Sequence, residues 1–208
     1  MSMEDYIAAR KEGIKQLHAL ESRGQDPYLP VLAELVPKLN QMAQVPLGLV
    51  QIGLDQIEGT ATKGRTTAFA RGFLPLLEQD SEFATKWSIL YDGIVEDGLR
   101  QPIVALEYYN RFYIVEGNKR VSVMRRLDAV NIEANVTRVL PEAEDSERYR
   151  VYQEFLSFYA DTKLNFIVFS REGSYERLYK LIGKTPGEKW TPEDLFDFQS
   201  CFYRFQQA

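Results

Sequence analysis

The chain has 208 residues, 45% hydrophobic and 26% charged, with a net charge of minus 5. That is enough apolar content to bury a core without disulfide or metal staples, and it excludes a disordered or fibrous chain. One cysteine, Cys201, excludes an internal disulfide, and one histidine, His18, excludes histidine-rich metal sites. No apolar run approaches the roughly 20 residues that span a bilayer, and no basic start followed by an apolar run and a cleavage site opens the chain. A cytoplasmic protein without a membrane segment is therefore expected.

In chain order, Tyr6, Ile7, Ile14, Leu17 and Leu20 recur at helical spacing over residues 2 to 22, and Gly24 and Pro27 follow as a stop. A short helix is expected from Val31 to Leu39, interrupted by Pro37. Alternation of Val50, Ile52 and Leu54 predicts a strand over Leu49 to Ile57, followed by a polar loop from Gly59 to Thr66. Phe83, Trp87, Leu90, Tyr91 and Ile94 predict a helix over Ser81 to Glu96, with Gly98 as the left-handed residue that ends it. Residues 102 to 109 and 111 to 115 are β-branched and aromatic, with Asn110 between them, and predict a hairpin. It runs through Gly117 into a helix carrying Val121, Met124 and Leu127, then into a strand carrying Ile132, Ala134 and Val136.

After Pro141 an acidic stretch marks a boundary, and the remainder reads as helical. One helix carries Val151, Phe155 and Tyr159, a second is capped by Ser174 and closed by Gly183, and the last starts at Thr191-Pro192-Glu193-Asp194. Leu195, Phe198, Phe202 and Phe205 form an apolar stripe running to the last residues. Packing within the chain is the default expectation for that stripe; the alternative is a chain that continues past Ala208 to a further domain or partner.

The residues from Arg111 to Arg126 include Arg111, Lys119, Arg120, Arg125 and Arg126 against Glu116, a local charge of plus 4 in an acidic chain. A strand ending at Glu116, a glycine at 117 and a basic helix beginning near Asn118 make physical sense as an anion site. The first N–H groups of a helix have no intrahelical partner, and the helix dipole is positive there. The same residues are equally compatible with a plain strand-to-helix turn with a solvated basic face. Gly59, four residues, then Gly64-Arg65-Thr66 nearly matches a P-loop, but arginine replaces the lysine and no apolar helix follows.

The block Glu116-Gly117-Asn118-Lys119-Arg120, with Ile94-Val95-Glu96-Asp97-Gly98-Leu99-Arg100-Gln101-Pro102-Ile103 before it, resembles the core shared by ParB partition proteins and sulfiredoxins. That core has an acid and a glycine shortly before Gln-Pro-Ile, then a glycine, two variable or basic residues and an arginine. The resemblance covers residues 45 to 141, slightly under half the chain. It implies an α+β fold, a small mixed sheet with helices, between a helical N-terminal extension (1 to 44) and a mostly helical C-terminal segment (142 to 208).

The resemblance also implies a nucleotide site for CTP, ATP or ADP with magnesium. Gly117, Asn118, Lys119, Arg120 and Ser122 would surround the phosphates, Glu96 and Gln101 would line the pocket, and Arg65 would reach in from its loop. Glu116 is then the candidate metal-binding or basic carboxylate, with pairing to Lys119 or Arg120 as its structural alternative. Sulfiredoxin chemistry needs a cysteine and histidine where this chain has Asn118 and Lys119, so a nucleotide hydrolase or phosphotransferase is the expected enzyme class, if any. The resemblance also implies a ParB-like DNA-binding or nuclease role, opposed by the acidic pI near 5.1, or a degenerate protein-interaction scaffold.

Overall fold

The computed structural model describes residues 2–64 and 66–206, with the side chains of 205 and 206 excepted. It divides into two compact units, Met1–Pro141 and Glu142–Ala208. Among the described residues, five strands in one mixed sheet and seven α-helices make the chain α+β.

In the first unit, α1 (Ser2–Glu21) and α2 (Leu32–Leu35) precede β1 (Gln44–Gly53) and β2 (Ile57–Thr60). There follow α3 (Glu82–Asp97), β3 (Ile103–Tyr108), β4 (Arg111–Glu116), α4 (Asn118–Arg126) and β5 (Asn131–Val139). The sheet order is β1-β5-β3-β4-β2. β1 pairs antiparallel with β5, β3 antiparallel with β4, and the pairs β3/β5 and β2/β4 are parallel.

Alternation along the strands sorts side chains into two clusters. Ile103, Ala105, Phe112, Ile114, Ile132, Ala134 and Val136 meet Tyr6 and Ala9 of α1, Phe83 and Trp87 of α3, and Val121 and Val123 of α4. Tyr113 and Val139 meet Leu32, Val36 and Leu39. The first helix is built into this core. Its Tyr6 ring lies edge-on to Trp87 with centroids 5.4 Å apart, its hydroxyl donates to the Leu77 carbonyl at 2.7 Å, and Ser2 bonds Asp92 at 2.6 Å. Burial raises the Tyr6 hydroxyl to a pKa of about 12.

Local signals explain the boundaries. The Ser81 hydroxyl accepts from the Ala84 N–H at 3.2 Å and starts α3, and Gly98, at φ 76°, ends it. Tyr109 and Asn110 both have positive φ, as a two-residue hairpin turn demands. The expected strand over Leu49 to Ile57 is corrected: β1 begins five residues earlier and stops at Gly53. Leu54–Gln56 form a 3-10 turn, and Ile57 opens a separate strand. Leu54 is buried all the same, because the turn keeps it against the core. Gly59 and Thr60, expected in a loop, belong to β2, and a three-residue 3-10 turn, Thr66–Ala68, follows.

The second unit holds α5 (Glu147–Thr162), α6 (Ser174–Ile182) and α7 (Pro192–Gln206). Its centre is aromatic: Phe158 meets Tyr175, Tyr179 and Trp190 with ring centroids 5.1 to 5.9 Å apart. The buried Asp161 carboxylate accepts from the Tyr179 hydroxyl at 2.7 Å and the Gly187 N–H at 2.8 Å. A reciprocal cap starts α7, Thr191 N–H to Asp194 at 2.9 Å and Asp194 N–H to the Thr191 hydroxyl at 3.2 Å. Ser174 is the first residue of α6 rather than its cap, because Gly173 in a left-handed conformation takes the cap position. Leu195, Phe198 and Phe202 of the terminal stripe are half-buried. Phe198 packs on Trp190 at 5.2 Å and Phe202 on Phe166 at 5.2 Å, while the Phe205 side chain lies outside the described residues.

Candidate functional site at the Glu116 to Arg120 turn

β2 and β4 are parallel neighbours, with Thr60 opposite Ile114, and β3 pairs Val104 with Glu116. The ends of β2 and β4 and the start of β3 therefore converge on one margin of the sheet, where the turn into α4 lies. The Thr60 hydroxyl and the Ala61 N–H both donate to the Ile114 carbonyl, at 2.9 and 2.8 Å, which ties the segment after β2 to this margin. Arg65, further along that segment, lies outside the described residues.

Gly117 precedes the first residue of α4 with φ 115° and ψ 20°, in the left-handed region. A Cβ built there would lie 2.6 Å from Ile103 Cγ2. The position thus excludes side chains by conformation and by core packing together. Val121 N–H closes the first helical bond onto the Gly117 carbonyl at 3.0 Å, so the N–H groups of Asn118, Lys119 and Arg120 have no intrahelical acceptor.

Each named side chain has a definite place. Arg120 is largely covered, at 15% side-chain exposure. It donates to the carbonyls of Gln101 (3.2 Å) and Pro102, and to Glu116 Oε1 at 3.0 Å. It clamps the start of α4 onto the chain entering β3. Glu116 is 73% exposed and takes the pairing with Arg120 expected as its structural alternative. The Lys119 ammonium stands 4.6 Å from the centre of the Phe83 ring on α3. Asn118 is half-buried, and its carboxamide oxygen is buried with no hydrogen-bond partner among the described residues.

Ser122 does not join them. It is buried, and its hydroxyl accepts from the Trp87 indole N–H at 2.9 Å. Glu96 is exposed on the last turn of α3, and Gln101 offers its backbone carbonyl to Arg120 while its side chain is exposed. The structure thus brings Gln101, Glu116, Gly117 and Arg120 into one bonded cluster with Asn118 at its edge, and uses Ser122 for the core.

The local charge of plus 4 is largely spent on protein groups. Arg126 pairs with Asp5 at 3.1 Å and Glu12 at 3.4 Å on α1, and Arg111 donates to the Asp55 carbonyl at 3.4 Å. Arg125 donates to the carbonyls of Gly72 (3.1 Å), Leu54 (2.8 Å) and Ile57 (2.9 Å) and lies over the Phe73 ring. Burial lowers the Arg125 pKa, opposed by the nearby carboxylates of Asp55 and Glu58. This clasp was not expected from sequence, although Arg125 follows Val121 by four residues and so shares its inward face. It lines an open cleft of about 530 Å³ with Asp55, Glu58, Arg71 and Asp128, at the other end of α4.

Among the described residues, no three carboxylate, histidine or cysteine side chains are grouped to hold a metal ion, and no helix is long and apolar enough to cross a membrane. Cys201 is exposed on α7.

No family model and no curated protein matches the chain. Among solved structures, a sulfiredoxin from Arabidopsis thaliana is similar over 42% of this chain and 82% of its own, at 20% identity and a TM-score of 0.30. A likeness of that size has no bearing on activity. The α+β class rests on the strands and helices themselves.

Proposed function

We propose that the turn from Glu116 to Arg120 binds the phosphates of a nucleotide. The observation that carries the reading is Asn118. A buried amide end without a partner is uncommon in folded proteins, and this one sits on the first residue of a nine-residue helix whose leading N–H groups have no intrahelical acceptor. A carboxamide is pseudo-symmetric, so its two ends can exchange places. Turned over, Asn118 would put its NH2 group where the unpartnered oxygen now lies, a donor beside the backbone N–H groups of Asn118, Lys119 and Arg120, and the helix dipole adds positive potential.

In this reading Arg120 is a positioning residue. Its hydrogen bonds to Gln101, Pro102 and Glu116 keep the turn in place before any ligand arrives. Lys119, whose ammonium stands over the Phe83 ring, supplies a cation on the first turn of α4, and Glu96, Gln101 and Arg65 are candidates for the outer wall. Magnesium brought by the phosphates would find one carboxylate, Glu116, in keeping with an ion that binds through one or two protein carboxylates and the substrate's phosphates. Phosphoryl transfer or hydrolysis would call on Glu116 as base in the alternative case, where it does not hold the metal. DNA binding along α4 gains little support, because Arg120, Arg125 and Arg126 already face protein groups.

Isothermal titration with CTP, ATP, ADP and GTP, with and without magnesium, tests the reading. Binding is expected for at least one nucleotide, and Asn118→Ala is expected to weaken it about tenfold, the loss of one charge-assisted hydrogen bond. No heat at millimolar nucleotide would sink it.

A further inference from the structure

The two edges of the sheet are treated differently. Beside β2 the chain covers its own edge: the Thr60 N–H donates to the Pro30 carbonyl at 2.9 Å, Ala33 N–H to Ala61 at 3.1 Å, and Val31 bridges Thr60 in parallel. The ladder is extended by residues 30–33, and β2 itself is short and mostly buried. The opposite edge is β1, ten residues long and solvent-exposed from Gln44 to Gln51 except at Leu47 and Val50, which are half-buried.

An open edge offers unpaired backbone donors and acceptors, and soluble proteins commonly blunt such edges with lysine, proline or a bulge. In β1 only Pro46 and the register shift between Pro46 and Gly48 do so. Beyond Gly48 the strand is regular, pairing Leu49, Val50 and Gln51 with Asn135, Ala134 and Glu133. In a chain that is 26% charged, the ten residues of β1 carry no charged side chain. Two apolar side chains stand out on it, Val45 at 41% and Leu49 at 59% exposure.

We infer that β1 is a self-pairing edge, along which a second copy of this chain adds its own β1 antiparallel about a twofold axis. The absence of charge selects the partner. An acidic or basic peptide would find no complementary side chain in β1, whereas two identical neutral strands meet without like-charge repulsion and give every pairing twice. Leu49 would then be covered by the facing strand. One strand per subunit is a small interface, so the association is weak.

The test combines sedimentation velocity of the 208-residue chain from roughly 10 to 300 µM with amide hydrogen exchange at low and high concentration. A monomer–dimer equilibrium is expected, with exchange at residues 48–51 slowing as concentration rises. The variant Leu49→Lys replaces the more exposed of the two apolar side chains and places like charges across the twofold. It is expected to stay monomeric over the same range, with an unchanged circular dichroism spectrum. A wild-type chain monomeric throughout, a dimer that persists in the lysine variant, or exchange at 48–51 indifferent to concentration would each overturn the inference.

Discussion

Replacing Gly117 by alanine separates two kinds of cost that meet at one residue. The first is conformational: φ 115° is a region L residues avoid, at a cost of about 1 to 2 kcal/mol. The second is steric. The new Cβ would stand 2.6 Å from Ile103 Cγ2 and 3.0 Å from its Cβ, and Ile103 is fully buried at the start of β3. Forcing a methyl group into such a place costs about 1 to 3 kcal/mol. The sum, roughly 2 to 5 kcal/mol, is a large share of the 5 to 15 kcal/mol that holds a typical domain. Gly24, in the same unit, supplies the control: its φ is 66°, the Gln25 N–H returns to the Leu20 carbonyl at 3.0 Å as in a left-handed helix cap, and a Cβ there would meet nothing within 4 Å. Gly24→Ala should therefore cost only the conformational part. Urea unfolding followed by far-ultraviolet circular dichroism gives both values. If the two variants lose the same stability within about 0.5 kcal/mol, Ile103 is not the reason for glycine at 117.

The buried pair of Glu107 on β3 and Arg138 on β5 faces the same core, and Glu107 also accepts from the Asn110 N–H at 2.7 Å. Glu107→Gln should cost about 3 to 5 kcal/mol by leaving a buried guanidinium without its counter-charge, while Glu107→Leu combined with Arg138→Met should cost much less; a double-mutant cycle by urea unfolding measures both, and equal losses would refute the pairing argument. In the second unit, the Lys184 ammonium and then the Thr191 cap hold the Asp194 carboxyl down at about 2, from an ordinary 3.8. Because the folded state favours the carboxylate, its stabilising contribution is complete above pH 3.8 and fades as pH falls toward 2. Asp194→Asn should flatten the acid limb of the stability profile in that window, read by thermal unfolding across pH, and an unchanged limb would count against the cap.

Elements whose signals are local were legible in the chain. The end of α3 at Gly98, the turn at Asn110 and the apolar periods of α1 and α3 each depend on residues within a turn or two of one another. β2 was not legible, because Ile-Glu-Gly-Thr has neither alternation nor length; it is a strand only through β4 on one side and residues 30–33 on the other. The site shows the same division. Gly117 and the start of α4 were readable, and so was the alternative that Glu116 pairs with Arg120. Which helix face is used for what was not: Ser122 is one turn from Asn118 in sequence, yet its hydroxyl is committed to Trp87. Arg125 looked like part of a basic surface until three carbonyls from two distant segments closed around it.

The two tryptophans fall one in each unit, and their indole groups are in opposite circumstances. Trp87 is fully buried and donates to Ser122, whereas the Trp190 N–H is buried without an acceptor among the described residues. Each unit therefore carries its own optical label. Trp190→Phe leaves emission from the sheet unit alone, Trp87→Phe leaves emission from the aromatic helical unit, and the two spectra differ at the outset because only one indole is hydrogen-bonded. Comparing the pair of single-tryptophan chains during unfolding tells whether the halves on either side of Pro141 melt together or in turn.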